Sequence, residues 1–268
     1  MNTFKSFSHW LLAGAFALTA SVSLQASAET AEEKGLRISQ DTKVKDDGWK
    51  DLQAEMVMIL RNSQGEESIR EIRLKSLEME NDGDKSLSIF DKPLDVKGTA
   101  FLSFSHPVGA DDQWLYLPAL KRVKRIASRN KSGPFMGSEF AYEDLTSFEI
   151  EKYTYKYLRE EACGAEQCHV IEQYPVDQYS GYTRRVVWVD QSELRLQKVV
   201  FYDRKDALLK TLTYHDYQQY LNKHWRPDLM KMENHQSKKS TDLRWKDYQF
   251  STGLDDSDFN KNSLKRAR

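Results

Sequence analysis

From Trp49 onward the chain alternates apolar and polar side chains with a period of two, the pattern of extended strands. In the first such stretch Ala54, Met56, Met58 and Leu60 share one face while Val57 and Ile59 occupy the other, so the strand is apolar on both sides near its centre. A strand of this kind is buried on both faces or lines an apolar cavity. Asn62-Ser63-Gln64-Gly65 and Asn81-Asp82-Gly83-Asp84 are turns built from residues that tolerate positive φ, and they introduce strands around residues 69–77 and 86–90. Residues 98–105, 113–117 and 122–127 continue the pattern, and residues 128–140, rich in Gly, Ser and Asn, interrupt it as a loop. Strands are expected again over 148–158, 167–174, 182–190, 195–202, 208–217, 224–234 and 241–250. Helical character is confined to a charged stretch over 29–45, a short one over 142–147 and the polar tail from Asp255. Strands with such short connections pair antiparallel, since parallel neighbours need crossovers of about a dozen residues or more. No composition break marks a boundary, so residues 29–268 are expected to form a single, mainly β (α+β) domain.

Ahead of that domain, Lys5, an apolar run from Trp10 through Leu24 and the small residues Ala26-Ser27-Ala28 form the three parts of a cleavable export signal over residues 1–28. The apolar core is about 14 residues long, short of the roughly 20 that a spanning helix needs. No Cys near the cleavage point offers a lipid acceptor, so the expected product is soluble and not lipid-anchored. With 40 Lys and Arg against 41 Asp and Glu, the net charge of −1 argues against bulk nucleic-acid binding, which needs cations to displace counterions.

Cys163 and Cys168 are the two cysteines of the chain. In an exported protein a disulfide closing a hairpin turn is the preferred reading, with free thiols the alternative. The chemistry-bearing motifs are otherwise missing. Gly137-Ser138-Glu139 lacks the second glycine of a nucleophile elbow, and neither a phosphate-binding loop nor a dinucleotide fingerprint is present. His106, His169, His215, His224 and His235 stand singly, so no metal site or cofactor is expected, and the chain does not read as an enzyme. Two features stand out instead. The basic run Lys121, Arg122, Lys124 and Arg125 is either an edge strand guarded by charge or a rim that meets anionic head groups or an acidic partner. The strands are also rich in Met and aromatic residues, which suits a large β core or a cavity that accepts variable acyl chains.

Residues 85–90 (KSLSIF), 96–102 (VKGTAFL), 112–123 (DQWLYLPALKRV) and 133–145 (GPFMGSEFAYEDL) together resemble the outer-membrane lipoprotein-sorting family of LolA-like periplasmic proteins. The resemblance implies a curved antiparallel sheet, a half-open barrel of the LolA/LolB type, with a few helices on its concave side and an apolar cavity between. It further implies a monomeric periplasmic carrier of lipoprotein acyl chains or other lipids, handing cargo between membranes with an inner-membrane transporter of the resistance-nodulation-division type. The alternative is a non-carrying accessory or regulatory subunit of such a transporter. On the carrier reading, Met56, Met58, Phe101, Trp114, Tyr116, Trp188 and Phe201 line the cavity. Lys121, Arg122, Lys124 and Arg125, with Phe135 and Met136 of the loop, form the mouth or docking surface.

Overall fold

The computed structural model describes residues 1–2, 28–262 and 264–266; the export signal expected over residues 1–28 lies almost wholly outside the described residues. The remainder is organised by one sheet. Its strands are β1 (Asp51–Arg61), β2 (Glu67–Leu77), β3 (Lys85–Lys92), β4 (Ala100–Phe104), β5 (Asp112–Leu117), β6 (Arg122–Arg125), β7 (Tyr153–Cys163), β8 (Glu166–Pro175), β9 (Tyr182–Asp190), β10 (Leu196–Asp203), β11 (Leu208–Tyr220), β12 (His224–Asn234) and β13 (Ser240–Phe250). They lie in the order β6-β5-β4-β3-β2-β1-β13-β12-β11-β10-β9-β8-β7, so two meanders are fused where β1 pairs antiparallel with β13. The sheet is curved and open, with β6 and β7 as its free edges.

Local chemistry sets the hairpins. Between β1 and β2 the Asn62 carboxamide oxygen accepts from the backbone N–H groups of Gln64 and Glu66, each at 3.0 Å, and Gly65 takes a φ of 84°. That closes the turn and fixes a register in which Met58 faces Arg70 and Met56 faces Ile72. Between β7 and β8, a disulfide joins Cys163 to Cys168 with their Cα atoms 5.9 Å apart.

One α-helix is present among the described residues, α1 (Ala31–Asp46), where the sequence suggested 29–45. Thr30 and Glu33 cap it reciprocally, the Thr30 hydroxyl accepting from the Glu33 N–H at 3.1 Å and the Glu33 carboxylate accepting from the Thr30 N–H at 2.9 Å. Gly35 lets the helix lie directly on β7, because a Cβ there would stand 2.9 Å from the Tyr157 backbone nitrogen. Ile38 is thereby buried with Tyr155 and Ile171. Ile171 pairs with Val187 and shares its face, which is the face that carries the main core, so α1 covers the concave side at the β7 end.

The two faces carry separate cores. Residues paired across antiparallel strands point the same way, and Met58, Phe101, Leu115, Val187, Val199 and Phe201 all contribute to the inner cluster. On the outer face of the first meander Leu87, Ile89, Ala100 and Leu102 pack under Phe259 and Leu264 of the C-terminal segment. The tail is therefore not purely polar: Phe259 is 3% and Leu264 1% exposed. A second difference lies at residues 148–152, expected as strand. They contain a 3-10 turn, Ile150–Lys152, and β7 starts only at Tyr153; Phe148 and Ile150 alternate as in a strand, but the turn then brings the Phe148 ring to stack on that of Tyr153 at 5.8 Å. The expected helix over 142–147 is a shorter 3-10 turn, Tyr142–Leu145.

Candidate functional site

The chain leaves β6 at one edge of the sheet and re-enters at β7, the other edge, so residues 126–152 must cross the concave side. This strap contains no strand and no α-helix, only short 3-10 turns. It fills the half-barrel from within. Phe135 and Phe140 are 2% and 1% exposed, and the Phe135 ring lies 5.0 Å from that of Phe101, 5.9 Å from Phe90 and 5.7 Å from Tyr142. The loop that inserts these rings is held to itself: Phe135 N–H donates to Phe140 O at 2.7 Å and the Ser138 hydroxyl donates to Phe135 O at 2.7 Å. Met136 and Gly137 between them have φ values of 49° and 81°, the left-handed turn that brings the chain about so sharply.

Polar contacts fasten the strap to the sheet. Lys210, on β11 and 3% exposed, directs its ammonium to Asp144 Oδ2 at 2.6 Å and to Glu139 O at 2.9 Å. Tyr182 donates its hydroxyl to the other Asp144 oxygen at 2.8 Å, and burial holds that phenol well above its usual titration range. Next to it, Glu143 accepts from the Gly181 N–H and the Ser180 hydroxyl, both at 2.8 Å, and burial pushes its carboxyl up. Glu139 N–H donates to Thr241 Oγ1 at 3.0 Å, Asn234 donates to the Glu139 carboxylate at 2.6 Å, and Arg70 donates to Met136 O. The centre of this latch is a desolvated ion pair, strong against loss of one partner but dispensable as a pair.

Beside the strap a cleft of about 650 Å³ opens between residues 132–141 and the β8–β9, β10–β11 and β12–β13 turns. Charged side chains of Glu139, Asp203, Arg204, Lys205, Lys210 and Lys239 line it together with apolar surface. It adjoins the inner face, since Tyr182 and Lys210, which line it, lie against Phe201 there.

The residues singled out in the sequence divide between the two faces. Met56, Met58, Phe101 and Phe201 meet on the inner face with Phe135, and Met136 packs at its margin. Trp114, Tyr116 and Trp188 lie on the outer face: Trp114 pairs with Leu102 and Tyr116 with Ala100 under the C-terminal segment, while Trp188 packs with Cys168, Val170 and Val186. Their inner-facing neighbours are Leu115, Val187 and Val189, smaller side chains that attract less notice in a sequence. Lys121, Arg122, Lys124 and Arg125 sit in or beside edge strand β6, where Arg125 pairs with Asp112. The latch residues Lys210, Asp144 and Tyr182 had not been singled out. Lys210 carried a legible signal, because it alternates with Leu212 and Tyr214 on an otherwise apolar face, where an ammonium must find a partner.

Among the described residues no helix is long and apolar enough to cross a membrane, and no group of three His, Cys, Asp or Glu side chains is placed to hold a metal ion. A family model described as an uncharacterized protein matches residues 82–266. No curated protein matches the chain. Among solved structures, a domain from Vibrio parahaemolyticus named for outer membrane lipoprotein sorting is 63% identical, with a TM-score of 0.86 over 88% of this chain and 100% of that one. A DUF1329 family protein from Desulfovibrio piger is 27% identical, with a TM-score of 0.83 over 88% of this chain and 99% of its own. A LolA superfamily protein from Nitrosomonas europaea, 23% identical with a TM-score of 0.68 over 88% of this chain and 99% of that one, shares the fold.

Proposed function

The chain belongs to the outer-membrane lipoprotein-sorting family of LolA-like proteins, and from that membership we propose that it is a periplasmic carrier whose inner face takes up lipoprotein acyl chains or other lipids. The observation that carries this reading is the covering of the inner apolar cluster by a strap without strand or α-helix that runs between the two edges of the sheet. When the strap lifts, Phe135, Phe140 and Tyr142 vacate a surface already lined by Met58, Phe90 and Phe101. An acyl chain then replaces one apolar lining by another, and each methylene it buries contributes about 0.8 kcal/mol. The flexible Met side chains tolerate chains of different length. Uptake without covalent chemistry needs no catalytic group. Transfer between membranes, with an inner-membrane transporter of the resistance-nodulation-division type as the hand-over partner and the protein acting as a monomer, completes the proposal.

The test is direct: purify the protein from cells, extract it with organic solvent, and analyse the extract by mass spectrometry alongside uptake of a fluorescent single-chain lipid. Stoichiometric lipid in the extract and saturable uptake are expected. A reproducibly empty protein that ignores the fluorescent lipid overturns the carrier reading. One observation favours a second reading, a non-carrying accessory or regulatory subunit of such a transporter: the strap fills the inner face completely, with Phe135 and Phe140 at core-like burial. That reading expects the empty protein to retain its partner.

A further inference from the structure

Three hairpin turns of the second meander, residues 176–181 between β8 and β9, 204–207 between β10 and β11, and 235–239 between β12 and β13, lie at one end of the sheet, because the intervening turns of an antiparallel meander fall at the other. All three border the cleft beside the strap. Two properties of this lip coincide. Its cations Arg204, Lys205, Lys238 and Lys239 are exposed, and among the described residues none forms an ion pair with a carboxylate. Of the acids nearby, Asp177 is paired with Lys131 at 2.7 Å and Asp206 with Arg184 at 2.8 Å, while Asp203, held by the neutral donors Gln236 at 2.9 Å and the Lys205 N–H at 2.8 Å, keeps its charge near Lys205 and offsets one cation of the four. Arg204 is positioned by neutral carbonyls, donating to Ser180 O and Tyr179 O at 3.0 Å each, which leaves its charge uncompensated. The same turns also hold out apolar side chains, Val176 at 60%, Tyr179 at 43% and Leu208 at 44% exposure.

We propose that this lip is a docking surface for a bilayer that carries anionic head groups. Separate apolar tips set among long unpaired cations match the boundary of a membrane, where the apolar tips enter below the head groups and the ammonium and guanidinium groups remain among the phosphates. A protein partner would call for the reverse arrangement, a contiguous apolar centre depleted of Lys. Docking through the lip brings the bilayer against the cleft that Glu139 and Lys210 line, beside the latch of the strap. The surface does not depend on whether the inner face carries cargo.

Flotation with liposomes of phosphatidylglycerol and phosphatidylethanolamine, compared with phosphatidylcholine alone, tests it. The protein is expected to float with the anionic vesicles and to be released as salt rises from about 0.05 M to about 0.5 M. Combined R204E, K205E, K238E and K239E substitutions are expected to weaken binding on the order of 100-fold or more, while V176S with L208S also releases it at unchanged thermal midpoint. A lip variant that binds as tightly as the unaltered protein overturns the proposal, as does loss of a transporter partner by that variant when the unaltered protein ignores anionic vesicles. Uptake of a soluble fluorescent lipid by the same variants is expected to persist, so failure of the carrier reading would register in that arm alone.

Discussion

The strap over the inner face and the described residues of the C-terminal segment over the outer face both cross the sheet without forming strand or α-helix, yet they are fastened differently. The C-terminal segment sinks Phe259 and Leu264 into an apolar cluster and keeps its charged contacts at the rim, where Lys85 meets Asp256 and Lys75 lies 3.5 Å from Asp258. The strap also inserts aromatic rings, but it adds the enclosed Lys210–Asp144 pair, the hydrogen bond that the Glu139 N–H donates to Thr241 and the one that Glu143 accepts from the Gly181 N–H. Apolar burial is indifferent to what else is near, whereas a buried polar latch is directional and can exchange partners. On the carrier reading, the strap is the cover that must be released and the C-terminal segment the one that stays.

The largest effect should come from breaking the latch on one side. Lys210→Ala leaves the Asp144 carboxylate enclosed without its counter-ion and is expected to destabilise the protein by about 3–5 kcal/mol in urea unfolding. Replacing both partners, Lys210→Met with Asp144→Leu, should recover part of that loss, because no charge stays enclosed, while the Tyr182 hydroxyl and the Ala141 N–H lose their acceptor and keep the recovery incomplete. It would also make the strap resemble the C-terminal segment, so uptake of a fluorescent lipid should slow. Uptake unchanged in the double variant would mean that the latch does not gate the inner face.

A matched pair of truncations sharpens the contrast. Phe135→Ala and Phe259→Ala each remove a buried ring and should each cost about 3 kcal/mol. Only the first opens space on the inner face, so lipid binding should tighten for Phe135→Ala and stay level for Phe259→Ala. Equal responses in a lipid titration would erase the functional distinction between the two covers.

Much of this architecture was legible in the alternation of side chains, and the reasons for the exceptions are physical. Strand positions and antiparallel pairing follow from period-two stretches and turn residues such as Asn62 and Gly65. The face that turns inward does not, because curvature is a property of the whole sheet. Trp114, Tyr116 and Trp188 were drawn to the cavity by size, although their strands place Leu115 and Val187 there. The loop containing Phe135 and Met136 was visible as an interruption, but its role as a strap follows only once β6 and β7 are known to be opposite edges. Charge shows the same divide. The run from Lys121 to Arg125 is contiguous and conspicuous, whereas Arg204, Lys205, Lys238 and Lys239 come from separate turns that the meander sets along one end. Lys210 was within reach, since a lysine at an apolar strand position demands an acid.

The smallest expected effect concerns the other end of the strap, where it returns to the sheet beside the β2–β3 turn. Asp84 in that turn hydrogen-bonds to Ser147, with the Lys43 and Glu149 charges nearby, and burial raises its carboxyl from the ordinary 3.8 to about 6. Glu149 is itself 2% exposed and engaged by Lys43 at 3.1 Å. Because the folded state raises the pKa of Asp84, it favours the protonated acid: the resulting stability is complete below pH 3.8 and is lost as pH rises through about 6. Above that point an enclosed carboxylate faces Glu149 with one ammonium between two acids. Asp84→Asn should therefore match the unaltered protein near pH 3.8 and exceed its stability at pH 7 by on the order of 1–3 kcal/mol. The difference between the two unfolding curves, followed across that range, isolates this one group from the other titrations. A difference independent of pH would show that Asp84 titrates alike in the folded and unfolded chain, so that its seat beside the strap does not disfavour the charged form.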